Sequence, residues 1–125
     1  MIFGVGTDIV QIPRIEKLIS KYGNSFKSRI LHNEELTLLD ELAQAKHANF
    51  LAKRFAAKEA VSKALGHGIG ISLTFQEIVI LNNNLGQPYV VIKSRHIKNL
   101  EKMHISISLS DDYPIALAFV VISVR

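Results

Sequence analysis

The chain has 125 residues, enough for one domain with a core of its own, and its lack of cysteine excludes disulfides, thiolate metal sites and a cysteine nucleophile. A hydrophobic fraction of 48% is high for a small monomer, so part of the apolar surface is expected to lie against another subunit. A formal charge of +4 points to an anionic partner without choosing among nucleotide, nucleic acid, acidic protein and lipid.

Ile2 to Val10 reads as a strand, with Gly4 and Gly6 where another backbone could approach closely. The residues before it carry no basic n-region of a secretory signal, which leads to the expectation of a soluble, cytoplasmic protein. Pro13 suits the first turn of a helix, and Ile12, Ile15, Leu18, Ile19 and Tyr22 recur at helical spacing until Gly23 stops it. These residues are expected to face the core. A second helix is predicted after Asn33 as N-cap, with Glu34 and Glu35 in its first turn. A third, longer helix is predicted from about Lys46 to Leu65, ending at the glycine-rich run Gly66 to Gly70.

Beyond Gly70 the period becomes that of strands. Glu77 to Leu81 and Tyr89 to Lys93 flank a turn-rich stretch and read as a hairpin. His104 to Leu109 alternates, with Ile105, Ile107 and Leu109 on one face and His104, Ser106 and Ser108 on the other. Asp111 to Pro114 makes a turn. Ile115 to Val124 is apolar on both faces, as a central buried strand would be. Its longest apolar run, Pro114 to Ile122, is too short to cross a membrane as a helix. Helices early and antiparallel strands late give an α+β fold over residues 1–125.

The long helix holds the chemistry. Phe50, Leu51, Phe55, Val61 and Leu65 form its apolar arc, and Arg54 and Lys58 fall inside it. Either these side chains snorkel along the core to water, or they point into a partly enclosed anion site. Ala57, Ala60 and Ala64 make a stripe against which another element can pack closely. Glu59 and Lys63 are four apart, the spacing of an exposed ion pair, but a carboxylate among cations also suits a metal–phosphate site. Asp8, at the end of the first strand, either stabilises the turn before Pro13 or supplies a second carboxylate. The five histidines lack metal-ligand spacing, the serines of the late strand lack a hydrolase elbow, and the glycines follow a helix where a phosphate cradle would need them to open one.

GTDIVQIPR (Gly6 to Arg14), RFAAKEAVSKALG (Arg54 to Gly66), LGQP (Leu85 to Pro88) and HISIS (His104 to Ser108) occur in one order. With these motifs the chain resembles, over nearly its whole length, the bacterial holo-acyl-carrier-protein synthases, with their phosphopantetheinyl transferase fold. The resemblance implies transfer of 4'-phosphopantetheine from coenzyme A to a serine of apo-acyl carrier protein, in support of fatty acid biosynthesis. It implies Asp8 and Glu59 as ligands of Mg2+ and catalytic residues together with Lys63, and Arg54, Lys58, Lys63 and Gly66 as contacts of coenzyme A. It also implies a homotrimer with sites between subunits, and no nucleic acid or membrane as partner. Many relatives carry a histidine where this chain has Leu109, so that contact is absent here or moved to Ser108 or Ser110.

On the first helix Arg14, Lys17 and Lys21 span about 60° of arc away from the apolar residues. This stripe is either a solvated face or, given the resemblance, a docking surface for an acidic carrier protein. A small basic nucleic-acid-binding protein is the rival reading, weakened by few aromatics and no stacking platform. A non-catalytic trimeric scaffold leaves Asp8 and Glu59 unexplained.

Overall fold

The computed structural model describes residues 1–125, in which a strand and four helices precede four further strands. Strand β1 (Ile2–Gln11) runs straight into helix α1 (Ile12–Tyr22), whose first turn holds Pro13, where a missing N–H costs nothing. Gly23, at φ 56°, ends α1, and a helix absent from the sequence reading, α2 (Asn24–Ile30), follows at once. Helix α3 (Asn33–Asp40) is capped by His32 where Asn33 was expected. The His32 ring accepts from the Glu34 N–H at 3.2 Å, and the Glu35 carboxylate accepts from the His32 N–H at 2.9 Å. Asn33 therefore sits inside the first turn.

Helix α4 (His47–Leu65) follows a 3-10 turn at Gln44–Lys46 and ends at Gly66, whose φ of 79° lets the chain reverse without a Cβ clash. Strands β2 (Ile78–Asn82) and β3 (Pro88–Ile92) form the expected hairpin. Strands β4 (Met103–Asp112) and β5 (Ile115–Val124) join β1 in an antiparallel sheet of order β1-β5-β4. The architecture is α+β, with α4 lying across this sheet.

Two corrections concern which faces are covered. Strand β5 is central, but only Ala116, Ala118, Val120 and Ile122 are buried, against α4. On the other face Leu117 and Phe119 of β5 and Phe3, Val5 and Ile9 of β1 are exposed, Ile9 to 64%. On α1, Ile12 and Ile15 enter the core as expected, whereas Tyr22 is exposed.

The core also holds charge. Glu35 of α3 is wholly buried, and its Oε1 accepts from the Lys58 ammonium of α4 at 2.6 Å. Its Oε2 accepts from the Ile80 N–H of β2 at 3.1 Å and lies 3.6 Å from Arg54 Nε. Lys58 donates twice more, to the carbonyls of Ile30 at 2.7 Å and Phe75 at 3.0 Å, so all three of its N–H groups are used. Burial pushes the Lys58 ammonium down to about 8, Glu35 opposing the shift. Lys58 therefore does not snorkel to water, and the contact with coenzyme A that the resemblance implies would need one of these three bonds to open.

Removing one partner of a buried ion pair leaves the other charge uncompensated. Lys58→Met should lower the unfolding free energy by about 3–5 kcal/mol, measured by urea denaturation at neutral pH. A loss too small to resolve would mean that the cluster does not hold the core.

Candidate active site

The even-numbered residues of β1 face α4. A Cβ on Gly6 would land on the Ala60 carbonyl oxygen, and one on Gly4 on that of Ala64, so the strand lies directly on the helix backbone. The alanine stripe and the two glycines read from the sequence are the two halves of this contact. The next even residue is Asp8, delivered beside the last turns of α4.

There the Lys63 ammonium donates to Asp8 Oδ1 at 3.0 Å and to the Thr7 carbonyl at 2.9 Å. The i,i+4 spacing had suggested a bond from Lys63 to Glu59; the ammonium closes on Asp8 of the neighbouring strand. Glu59, one turn earlier, is partly enclosed. Enclosure first and the Asp8 carboxylate second raise its carboxyl above the usual range, while Lys63 and Arg14 pull the other way. A second carboxylate near enough for its charge to raise the Glu59 carboxyl makes a pair suited to a divalent cation. No third carboxylate, histidine or cysteine completes a cage, which fits Mg2+, an ion that keeps several waters or phosphate oxygens. Gly66 caps the same helix, its N–H donating to the Ser62 and Lys63 carbonyls, with open space around its Cα.

Arg54, two and a half turns from Lys63 towards the helix start, looks the other way. Its guanidinium stacks on the Phe50 ring at 3.8 Å, and Nη2 donates to the Ile80 carbonyl and to Asn82 Oδ1, both at 3.1 Å. Burial lowers its pKa to about 10 despite Glu35, which leaves it charged at neutral pH. Arg54 lines a cavity of about 770 Å3 with Lys46 and Lys53, the hairpin residues Asn82, Gly86 and Pro88, and Leu109 of β4. Lys46 and Lys53 were missed by the sequence reading, because a lone lysine near the start of a helix has no periodicity that distinguishes it. Leu109 points into this cavity, whereas Ser108 and Ser110 stand on the opposite sheet face, so they cannot supply a contact at its position.

A second concavity, about 400 Å3, lies between α1 and α2. Leu18, Phe26, Phe55 and Phe75 form its floor, with Arg14 and Arg29 at its rim. The Arg14 guanidinium lies 6.0 Å from the Phe55 ring centroid, and Phe55 stacks on Phe75. Of the basic stripe only Arg14 lines this groove; Lys17 is exposed, and Lys21 lies over the Tyr22 ring. Arg29 escaped the sequence reading because α2 itself was not foreseen. Arg14 also acts on Glu59 through its charge, so it stands between the groove and the carboxylates.

The family model for the 4'-phosphopantetheinyl transferase superfamily matches residues 4–118. The chain is 54% identical to a holo-[acyl-carrier-protein] synthase of Orientia tsutsugamushi strain Ikeda, over 98% of both chains. Among solved structures it is similar to the holo-[acyl-carrier-protein] synthase of Neisseria meningitidis, at TM-score 0.88 and 40% identity, covering 98% of this chain and 99% of that one. It is also similar to that of Bacillus anthracis in complex with CoA (3',5'-ADP), at TM-score 0.86 and 35% identity, covering 100% and 99%.

Proposed function

The chain belongs to the 4'-phosphopantetheinyl transferase superfamily as a holo-acyl-carrier-protein synthase, and we propose that Asp8 and Glu59 hold the Mg2+ at which it moves 4'-phosphopantetheine from coenzyme A to a carrier-protein serine. The observation that carries the metal assignment is the meeting of Asp8, Glu59 and Lys63 where β1 crosses α4. The whole of residues 1–125 acts as one catalytic unit, since a single core cluster draws on both sheets and on all four helices.

The cavity of Arg54, Lys46 and Lys53 takes the nucleotide half of coenzyme A; its volume suits a ligand of that size. The cavity lies on the face of α4 opposite Lys63. The coenzyme held in it therefore presents its diphosphate to the Asp8, Glu59 and Lys63 cluster and the Gly66 turn of a neighbouring subunit, so that the site lies between subunits. Asp8 and Glu59 would hold the Mg2+, which when bound would supply charge stabilisation for the phosphate oxygens. Lys63, already poised 3.0 Å from Asp8, adds a cation on the same side, where negative charge grows as the bond to the leaving group breaks. The carrier serine hydroxyl forms the new bond to the phosphorus that bears pantetheine, and adenosine 3',5'-bisphosphate leaves with the electron pair. The serine proton passes to Glu59 directly or to a water linked to the metal.

The groove between α1 and α2 receives the carrier protein: an apolar floor with Arg14 and Arg29 at its rim matches an acidic helix with an apolar edge. The chain's basic charge has a use here without nucleic acid. The apolar face formed by Phe3, Val5, Ile9, Leu117 and Phe119 is the surface through which the subunits form a trimer. No helix is long and apolar enough to cross a membrane, and the enzyme serves fatty acid biosynthesis in the cytoplasm.

The direct test is incubation with coenzyme A, Mg2+ and apo-carrier protein, with the carrier's intact mass as readout. Asp8→Asn and Glu59→Gln should each keep the fold and lower kcat by about 10²–10³. Near-normal turnover of either variant at saturating Mg2+ would remove that carboxylate from the metal site. Arg14→Glu should raise KM for the carrier on the order of tenfold and blunt its salt dependence, with coenzyme A affinity unchanged. Equal damage to both substrates would move Arg14 to the nucleotide side. Light scattering should report three subunits, and a fully active monomer would refute the shared apolar face.

A further inference from the structure

Asp111, the last residue but one of β4, stands on the wall of the large cavity, and its partners are the cavity's own donors. Its Oδ2 accepts from Asn49 Nδ2 at 2.7 Å, and its Oδ1 lies 3.2 Å from the Lys53 ammonium. All three residues line the cavity, Asn49 and Lys53 one turn apart on α4 and Asp111 across from them on β4. The Asn49 hydrogen bond first, with Lys53, holds the Asp111 carboxyl below the usual carboxylate range, so it is ionised at neutral pH.

The charges of this cavity are already largely matched. Lys46, Lys53 and Arg54 face it, with Glu41 and Asp111 on the same wall and Glu35 behind Arg54. A phosphate entering beside Lys53 meets an ammonium and an amide that are engaged, with a carboxylate between them. It must displace that carboxylate or share the cation with it. The Lys53 and Asp111 side chains are about one-third exposed, so their pairing is weak enough to exchange with a ligand and strong enough to compete with one.

We infer that Asp111 is a specificity-determining residue of the coenzyme site: it competes with a phosphate monoester of the ligand for Lys53 and Asn49, and thereby reduces the preference for coenzyme A over its form lacking the 3'-phosphate. The inference rests on the reading that this cavity holds the nucleotide of coenzyme A.

The experiment is calorimetric titration of coenzyme A and 3'-dephospho-coenzyme A into the wild type, Asp111→Asn, Lys53→Ala and the double variant. Asp111→Asn should tighten coenzyme A about fivefold and leave the dephospho form within about twofold, as expected for removing one partly screened like charge. Lys53→Ala should weaken coenzyme A in both backgrounds, and more steeply in Asp111→Asn, where the ammonium is free for the phosphate, a coupling that a mere strand–helix clamp would not give. If Asp111→Asn shifts both ligands equally, or neither, the inference is overturned. A Lys46→Glu/Lys53→Glu variant separates the two readings. Should it bind coenzyme A as the wild type does, the nucleotide lies elsewhere and both readings fall. Should it weaken coenzyme A while Asp111→Asn leaves the ratio unchanged, only the role of Asp111 falls.

Discussion

The approach of β1 to the backbone of α4 is the constraint on which the rest depends. Two glycines let a strand lie against helix carbonyls at a separation that any Cβ would forbid, and three alanines keep the helix side equally bare. Little dispersion energy comes from such small groups individually. What the contact supplies is position: the next inward residue of the strand must arrive beside the turn that bears Glu59 and Lys63. An aspartate two residues beyond Gly6 therefore meets groups more than fifty residues away in sequence.

The Glu35 cluster is the second organising element and acts on the opposite side of α4. A carboxylate from α3 accepts from an ammonium of α4 and a backbone N–H of β2, while that ammonium also ties down the carbonyls of Ile30 and Phe75. Five segments thus converge on one buried ion pair. A pair of this kind adds little net stability over apolar residues of equal volume, yet it fixes which groups meet, because any other arrangement leaves a charge bare. Arg54 belongs to both worlds, with Nε beside Glu35 and its guanidinium facing the cavity. The core and the ligand cavity are therefore electrostatically one system.

Legibility from sequence followed the strength of the local signal. The strand of β1, the 3.6 period of α4, the hairpin and the alternation of β4 all appeared near their observed places, because each repeats a pattern several times. Helix α2 did not, since seven residues contain too few turns to show a period, and with it went Arg29 and half of the groove between α1 and α2. Asp8, Glu59 and Lys63 were singled out by residue type and by family resemblance; that Lys63 bonds Asp8 and not Glu59 is a tertiary fact that no spacing contains. Lys58 shows the same limit more sharply. Its place inside an apolar arc could mean snorkelling, an anion site or a buried pair, and only the arrival of Glu35 from another helix decides.

The glycines of β1 also bear on how the chain finds its fold. In a strand, a slip of one residue against its neighbour exchanges the two faces. For β1 that would turn Val5 and Thr7 towards α4, where the helix backbone leaves no volume for a side chain, and would send Asp8 to the far side of the sheet. Misregistered pairing with β5 is thus rejected by steric exclusion before the bond between Lys63 and Asp8 is tested. The same two positions that lack side chains serve as a gauge of strand alignment, so a molecule in which β1 has docked on α4 has its carboxylates in register.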